Sequence, residues 1–142
     1  MIADASADGR FLSDLEAALL DDLRASSIQG HNSRIDLAVR DDDGALIAGL
    51  AATTSYGWLR VNMLWVRSDH RRAGVGRQLV QRAIEQSLER GCHAAWLETS
   101  NPLARDFYKS LKFEVFAELT NEFDDVPRGH KRWFLRRKLG SP

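Results

Sequence analysis

Directly after the apolar run VNMLWV, the chain reads HRRAGVGRQL from His70 to Leu79, with two glycines two positions apart among three arginines. A strand ending at Val66, a short basic loop and a helix opening at Gly74 would present the free amide hydrogens and positive dipole end of a helix N-terminus. Gly74 and Gly76 remove side chains that would hold a phosphate off the backbone, and Arg71, Arg72 and Arg77 can add charge-assisted bonds. The chemistry suggested is anion binding. The plainer reading is a tight strand-to-helix turn with solvated arginines, and ten residues do not choose between the two.

Two nucleotide motifs fit this stretch less well. No Gly-Lys-Ser/Thr follows, which excludes a P-loop. A dinucleotide site is a closer rival, because Glu98 ends the next strand about twenty residues on, where a ribose-binding acid belongs. Leu79, however, stands in the third-glycine position, and seven residues separate Val66 from Gly74 where a tight turn is required.

A second cluster lies in NPLARDFYKSLKF. Leu103, Phe107 and Leu111 recur every four residues and are expected to face the core, while Asn101, Ala104 and Tyr108 share another face of the same helix. That face carries an amide, a small residue and a phenol. Taken alone, Tyr108 reads as a half-buried aromatic whose hydroxyl reaches water. Glu98 and, second to it, His130 in PRGHKRW could accept a proton; the plainer readings are an exposed strand-end carboxylate and a solvated loop histidine.

Periodicity supplies the elements that must position these groups. Leu12, Leu15, Leu19, Leu20 and Leu23 predict a helix over about 11 to 26. RIDLAV, ALIAGLAATTS and WLRVNMLWV predict three consecutive antiparallel strands, the first two joined by a hairpin at Asp41 to Gly44. Gly74 to Arg90 restores the helical period, with Gly91 placed for a left-handed C-terminal cap. HAAWLETS can then pair in parallel with WLRVNMLWV through that crossover. Asn101 caps a helix with Pro102 in its first turn, reaching about Leu111. FEVFAEL and KRWFLRRKL complete an α+β layout around one mixed sheet.

Composition narrows the class. A chain of 142 residues, 44% hydrophobic and without repeats or linker-like tracts, suits a single domain over 1–142. Twenty basic and twenty acidic residues cancel, so no global field draws the chain to nucleic acid or an anionic membrane. The basic residues Lys131, Arg132, Arg136, Arg137 and Lys138 lie in a strand-like run and are expected to point outward. A lone Cys92, no apolar run of about 18 residues, and an opening MIADASADGR unlike a signal peptide predict a cytoplasmic setting.

RRAGVG fits the Gln/Arg-x-x-Gly-x-Gly/Ala acetyl-CoA signature of the GNAT N-acetyltransferase superfamily, with Arg71, Gly74 and Gly76 in the defining places. NPLARDFYKSLKF resembles the same family's Asn/Ala…Phe-Tyr…Gly-Phe segment, and the resemblance covers about residues 35 to 139 in element order, most specifically 64 to 113. It implies the acyl-CoA N-acyltransferase fold: a central mixed, mostly antiparallel sheet flanked by helices, in which two parallel strands splay to admit the cosubstrate. It also implies acetyl transfer from acetyl-CoA to a primary amine through a ternary complex, without a metal, with a small molecule favoured over a protein as acceptor. A non-catalytic acetyl-CoA sensor is the alternative.

On this resemblance the pyrophosphate rests on the amides of Arg72, Ala73, Gly74, Val75, Gly76 and Arg77, beside Arg71. Pantetheine pairs with the backbone of Leu64, Trp65 and Val66, where an amide can also polarise the thioester. Tyr108 donates a proton to the departing thiolate, nearly in balance if its pKa is the reference value of about 10. Asn101 contacts pantetheine or orders a water, Ala104 leaves it room, and Glu98 is the first choice of general base.

Four departures or additions accompany the resemblance. Lys112 stands where the family usually has glycine, at a cost on the order of 1 kcal/mol if the site is left-handed. The family's usual first strand, before helix one, is absent or very short. Glu118, Glu122, Asp124 and Asp125 could draw a cationic amine, although such a run is more often a solvated loop. The tryptophans at 58, 65, 96 and 133 are expected to fill the sheet core, with Trp133 alternatively serving an exposed last strand that pairs across a homodimer.

Overall fold

The computed structural model describes residues 1–26 and 32–140, which divide into two compact units, Met1–Gly30 and His31–Pro142. In the first, helix α1 (Phe11–Ser26) begins where Asp8 accepts the amide of Arg10 on its side chain at 2.9 Å and that of Phe11 on its carbonyl at 3.2 Å. No described residue before α1 forms a strand, as the sequence led us to expect.

The second unit runs β1 (Ser33–Arg40), β2 (Leu46–Ser55), β3 (Trp58–Val66), a 3-10 turn at Ser68–His70, α2 (Val75–Glu89), β4 (Ala94–Thr99), α3 (Pro102–Ser110), β5 (Glu114–Thr120) and β6 (Lys131–Lys138). These are the predicted elements in the predicted order. The sheet order is β1-β2-β3-β4-β6-β5, and only β3 and β4 run parallel. A dinucleotide-binding fold needs a parallel, doubly wound sheet, so that alternative is excluded.

Both helices of this unit cover one face of the sheet. Leu79, Val80, Ala83 and Ile84 of α2 and Tyr108 of α3 enter one core with Ile35, Leu50, Leu59, Leu97 and Leu135 of the strands. Strand alternation fixes the other face: Ala95 and Leu97 point into the core, so Trp96 and Glu98 of β4 point away from the helices.

Three expectations fail here for identifiable reasons. Of the four tryptophans only Trp133 is buried; Trp65 is 46% exposed, and Trp58 and Trp96 are half-buried, because alternation puts them on the face without α2 and α3. Trp133 cannot serve an exposed last strand, since β6 lies inside the sheet and the edge strand is β5. Leu103 is 79% exposed rather than core-facing, because at about 100° per residue it falls off the face that Ala104, Phe107, Tyr108 and Leu111 turn to the core.

Lys112, just beyond α3, has φ +69°, the left-handed conformation that costs a side chain and suits glycine. Lys112→Gly is expected to stabilise the fold by about 1 kcal/mol. Urea unfolding with a raised midpoint and unchanged slope would show it, and an unchanged or lowered midpoint would remove the strain.

Candidate active site

The parallel strands pair only at Trp58↔Ala94, Leu59↔Ala95 and Arg60↔Trp96. Beyond that, β3 stays with β2 as far as Val66 and β4 stays with β6 as far as Thr99, so the two diverge and leave facing edges unpaired. The divergence has a local cause. Opposite Ala51 and Ala52 stand Met63 and Val61, making Asn62 an extra residue on β3 just past the last parallel pair. Such a bulge bends and twists its strand, and Asn62 Nδ2 secures it by donating to Thr53 Oγ1 at 3.2 Å.

Backbone alternation says which groups face the gap. Arg67 donates its N–H to Ile47 on β2 at 2.8 Å, so Trp65 also turns its backbone toward β2, while Leu64 and Val66 turn theirs to the open edge. The Val66 carbonyl there accepts Arg71 Nε at 2.8 Å, so Arg71 ties the basic loop to the strand. The Arg67 guanidinium forks onto Asp69 at 2.7 and 3.1 Å, holding that carboxyl well below the usual range, and His70 Nδ1 lies 3.0 Å from the same carboxylate.

Helix α2 opens with no side chain over its end. Its N-cap is Gly74, and its first bond runs from the Gln78 N–H to the Gly74 carbonyl at 3.0 Å, which leaves the amides of Val75, Gly76 and Arg77 without helical acceptors. The two glycines are needed for different reasons. Gly74 has φ +83° with open space around it, whereas a Cβ on Gly76 would stand 3.3 Å from Phe107 Cζ and 3.7 Å from Val66 Cγ2. The start of α2 therefore lies against both β3 and α3. Arg71, Arg72, Ala73 and Arg77 are exposed around it.

Next to Phe107 in α3, Tyr108 is 5% exposed, its ring edge-to-face with Phe107 at 5.1 Å and with Phe113 at 5.5 Å. Its hydroxyl makes no hydrogen bond, yet no buried side-chain oxygen among the described residues lacks a partner, so that oxygen reaches the surface. Burial pushes the phenol well above its ordinary value of 10.0. A phenol raised in this way stays protonated through the neutral range. Asn101 caps α3 by accepting the Leu103 amide on Oδ1 at 2.9 Å, which leaves only its Nδ2 for a ligand. Ala104, one turn before Tyr108, is half-buried against the core.

Glu98 lies on the opposite face, at the end of β4. Its side chain is 33% exposed, with Arg60 of β3 at 4.0 Å and Arg132 of β6 at 3.8 Å. Arg60 lies over the Trp96 ring at 4.7 Å. His130 Nε2 is 3.5 Å from Ser100 Oγ, which places it near the same strand end. The acidic run is partly spent locally: Glu118 pairs with Lys131 at 3.4 Å, and Asp125 accepts the Glu122 amide at 3.0 Å. Neither arginine was read as a neighbour of Glu98: Arg132 was expected only to point outward from its strand, and a charged residue inside the apolar run WLRVNM was the one signal for Arg60.

Among the described residues no group of His, Cys, Asp and Glu could hold a metal, and no helix is long and apolar enough to cross a membrane. The family model described as the acetyltransferase (GNAT) family matches residues 7–113. An acetyltransferase of Agrobacterium fabrum is 33% identical over 110 residues, spanning 75% of this chain and 80% of its own length. Blasticidin-S acetyltransferase of Streptomyces morookaense is 32% identical over 97 residues, 68% of either chain. A crystal structure from Agrobacterium tumefaciens, 24% identical, superimposes with a TM-score of 0.86 over 98% of both chains, and so shares the fold. Strands that part beside an uncapped, glycine-led helix are thus found in a chain matched from residue 7 to 113, and the protein belongs to the GNAT acetyltransferase family and is an acetyltransferase.

Proposed function

We propose that the protein transfers the acetyl group of acetyl-CoA to a primary amine of a small molecule, by direct attack within a ternary complex. The observation that carries this reading is the gap between β3 and β4, with the uncapped amides of α2 beside it. An extended amide chain suits the open edge at Leu64 and Val66, next to Trp65, and a pyrophosphate suits the amides from Arg72 to Arg77, where Gly76 gives close approach. Acetyl-CoA supplies the activated thioester. A small-molecule acceptor is favoured because one relative of this chain is named for its action on blasticidin S.

In this reading the chain's residues divide the proton work. Tyr108 holds a proton at its hydroxyl and gives it, as a hydrogen bond that completes late, to the departing sulfur. Glu98 takes the proton of the acceptor ammonium from the other face, directly or through water. Asn101 contributes its free amide nitrogen, and Ala104 leaves space beside Tyr108. The two units work as one catalytic domain, since the family match spans both. With Cys92 buried and unpaired, we assign the protein a reducing, cytoplasmic setting.

Release of free thiol from acetyl-CoA over a panel of amines tests the activity; binding without release under every condition would instead favour a sensor. Tyr108→Phe is expected to lower kcat about 100-fold with little change in the KM for acetyl-CoA. Because burial raises the phenol's pKa, its proton stays bound as pH rises through 10.0, so Tyr108 contributes no fall in rate below that pH. An alkaline limb below pH 10 that disappears in Tyr108→Phe would show that the phenol titrates lower than its burial implies, and full kcat of Tyr108→Phe at every pH would sink the acid role. Glu98→Gln is expected to reduce kcat/KM at least about tenfold near neutral pH, and full activity there would move the base to another group such as His130. A homodimer would join through β5, every residue of which is exposed, and light scattering that finds only monomer would remove it.

A further inference from the structure

The acceptor side of the gap carries an arrangement of charge that an amine alone does not explain. Arg60 and Arg132 approach Glu98 from the strands on either side, but at 4.0 and 3.8 Å both stand outside hydrogen-bond reach. Neither guanidinium makes a hydrogen bond to any described residue. Arg136, opposite Trp96 on β6, is by contrast committed, donating to Glu114 at 3.2 Å. The Arg60 guanidinium carbon lies 4.7 Å from the centroid of the Trp96 ring, a cation–π contact that uses none of its N–H donors.

Position adds to this. Arg60 and Trp96 form the last parallel pair before the strands part, and Glu98 is the next residue of β4 on the same face. Since α2 and α3 cover the other face, an acceptor whose route to a thioester in the gap runs from the side of Glu98 meets these arginines. Two cations against one carboxylate leave the route locally positive, which opposes a simple cationic amine. An amine that also bears a carboxylate reverses the sign of the problem. Its anionic group meets open guanidinium forks and its ammonium meets Glu98. The spacing of the two groups in such a molecule, a few bonds, is on the scale of the separations around Glu98.

We propose that the acceptor is an amino carboxylate, its carboxylate bound by Arg60 and Arg132 and its amine set beside Glu98. This rests on the acetyl-transfer reading above.

Thiol release measured on matched pairs tests it: phenylalanine with phenethylamine, and methionine with its decarboxylated amine. The carboxylate-bearing member of at least one pair is expected to show kcat/KM about tenfold or more above its partner. Arg60→Gln and Arg132→Gln are expected to erase that preference by raising the acceptor KM, while acetyl-CoA affinity by calorimetry stays unchanged. Arg132→Lys is expected to restore part of it. Equal or better turnover of the decarboxylated amines, a preference that survives both glutamine variants, or no turnover of any pair overturns the proposal. Acetyl-CoA binding with thiol release on carboxylate-free amines would leave the transfer reading standing, whereas failure of wild-type protein to bind acetyl-CoA would end both.

Discussion

Every backbone amide and carbonyl of a sheet needs a partner, and this sheet withholds partners at its centre. From Val61 to Val66 the edge of β3 that should face β4 has no strand beside it. Open edges usually lie at the margins of a sheet, where water can satisfy them. Here the gap is interior, lying between β3 and β4 with β2 and β6 paired to their outer sides, and the surrounding structure keeps it from closing. The bulge at Asn62 steers β3 away, pairing with β6 holds β4 in place, and Arg71 supplies a donor to the Val66 carbonyl.

The helices turn that opening into a site with two distinct sides. The absence of a Cβ at Gly76 lets the start of α2 pack close to both Phe107 of α3 and Val66 of β3, so free amides, strand edge and α3 come together. The opposite face carries its own charged groups, Glu98 with Arg60 and Arg132. Free amides, the Tyr108 phenol and the basic residues Arg71, Arg72 and Arg77 gather at the helix side, while Glu98, Arg60 and Arg132 lie across the sheet from them. In the proposed reaction the sheet keeps the cosubstrate side and the acceptor side apart until they meet at the gap.

Much of this was legible in particular residues. RRAGVGRQL announced an uncapped helix start, and Lys112 in place of a glycine announced a left-handed residue, later found at φ +69°. The phase of α3 was harder. A four-residue spacing projected Leu103, Phe107 and Leu111 onto one core stripe, but successive residues turn by about 100°, so a strict fourfold repeat drifts around the helix. Over two such steps Leu103 moves off the buried face, and Tyr108, close to Leu111 in angle, moves onto it. The tryptophans were misplaced for a related reason: alternation sets which residues share a face, and only packing of helices decides which face is inside.

By itself, the sequence determined what depends on neighbours along the chain: strand and helix periods, the cap at Asn101, and the glycines that leave the start of α2 free of covering side chains. Tertiary structure alone decided where β3 and β4 part, how deeply Tyr108 is buried, and that Arg60, Glu98 and Arg132 meet. Those three residues sit on different strands, and their meeting depends on β4 lying between β3 and β6 in a given register. Register between distant strands is set by the packing of the whole core, which no local pattern encodes.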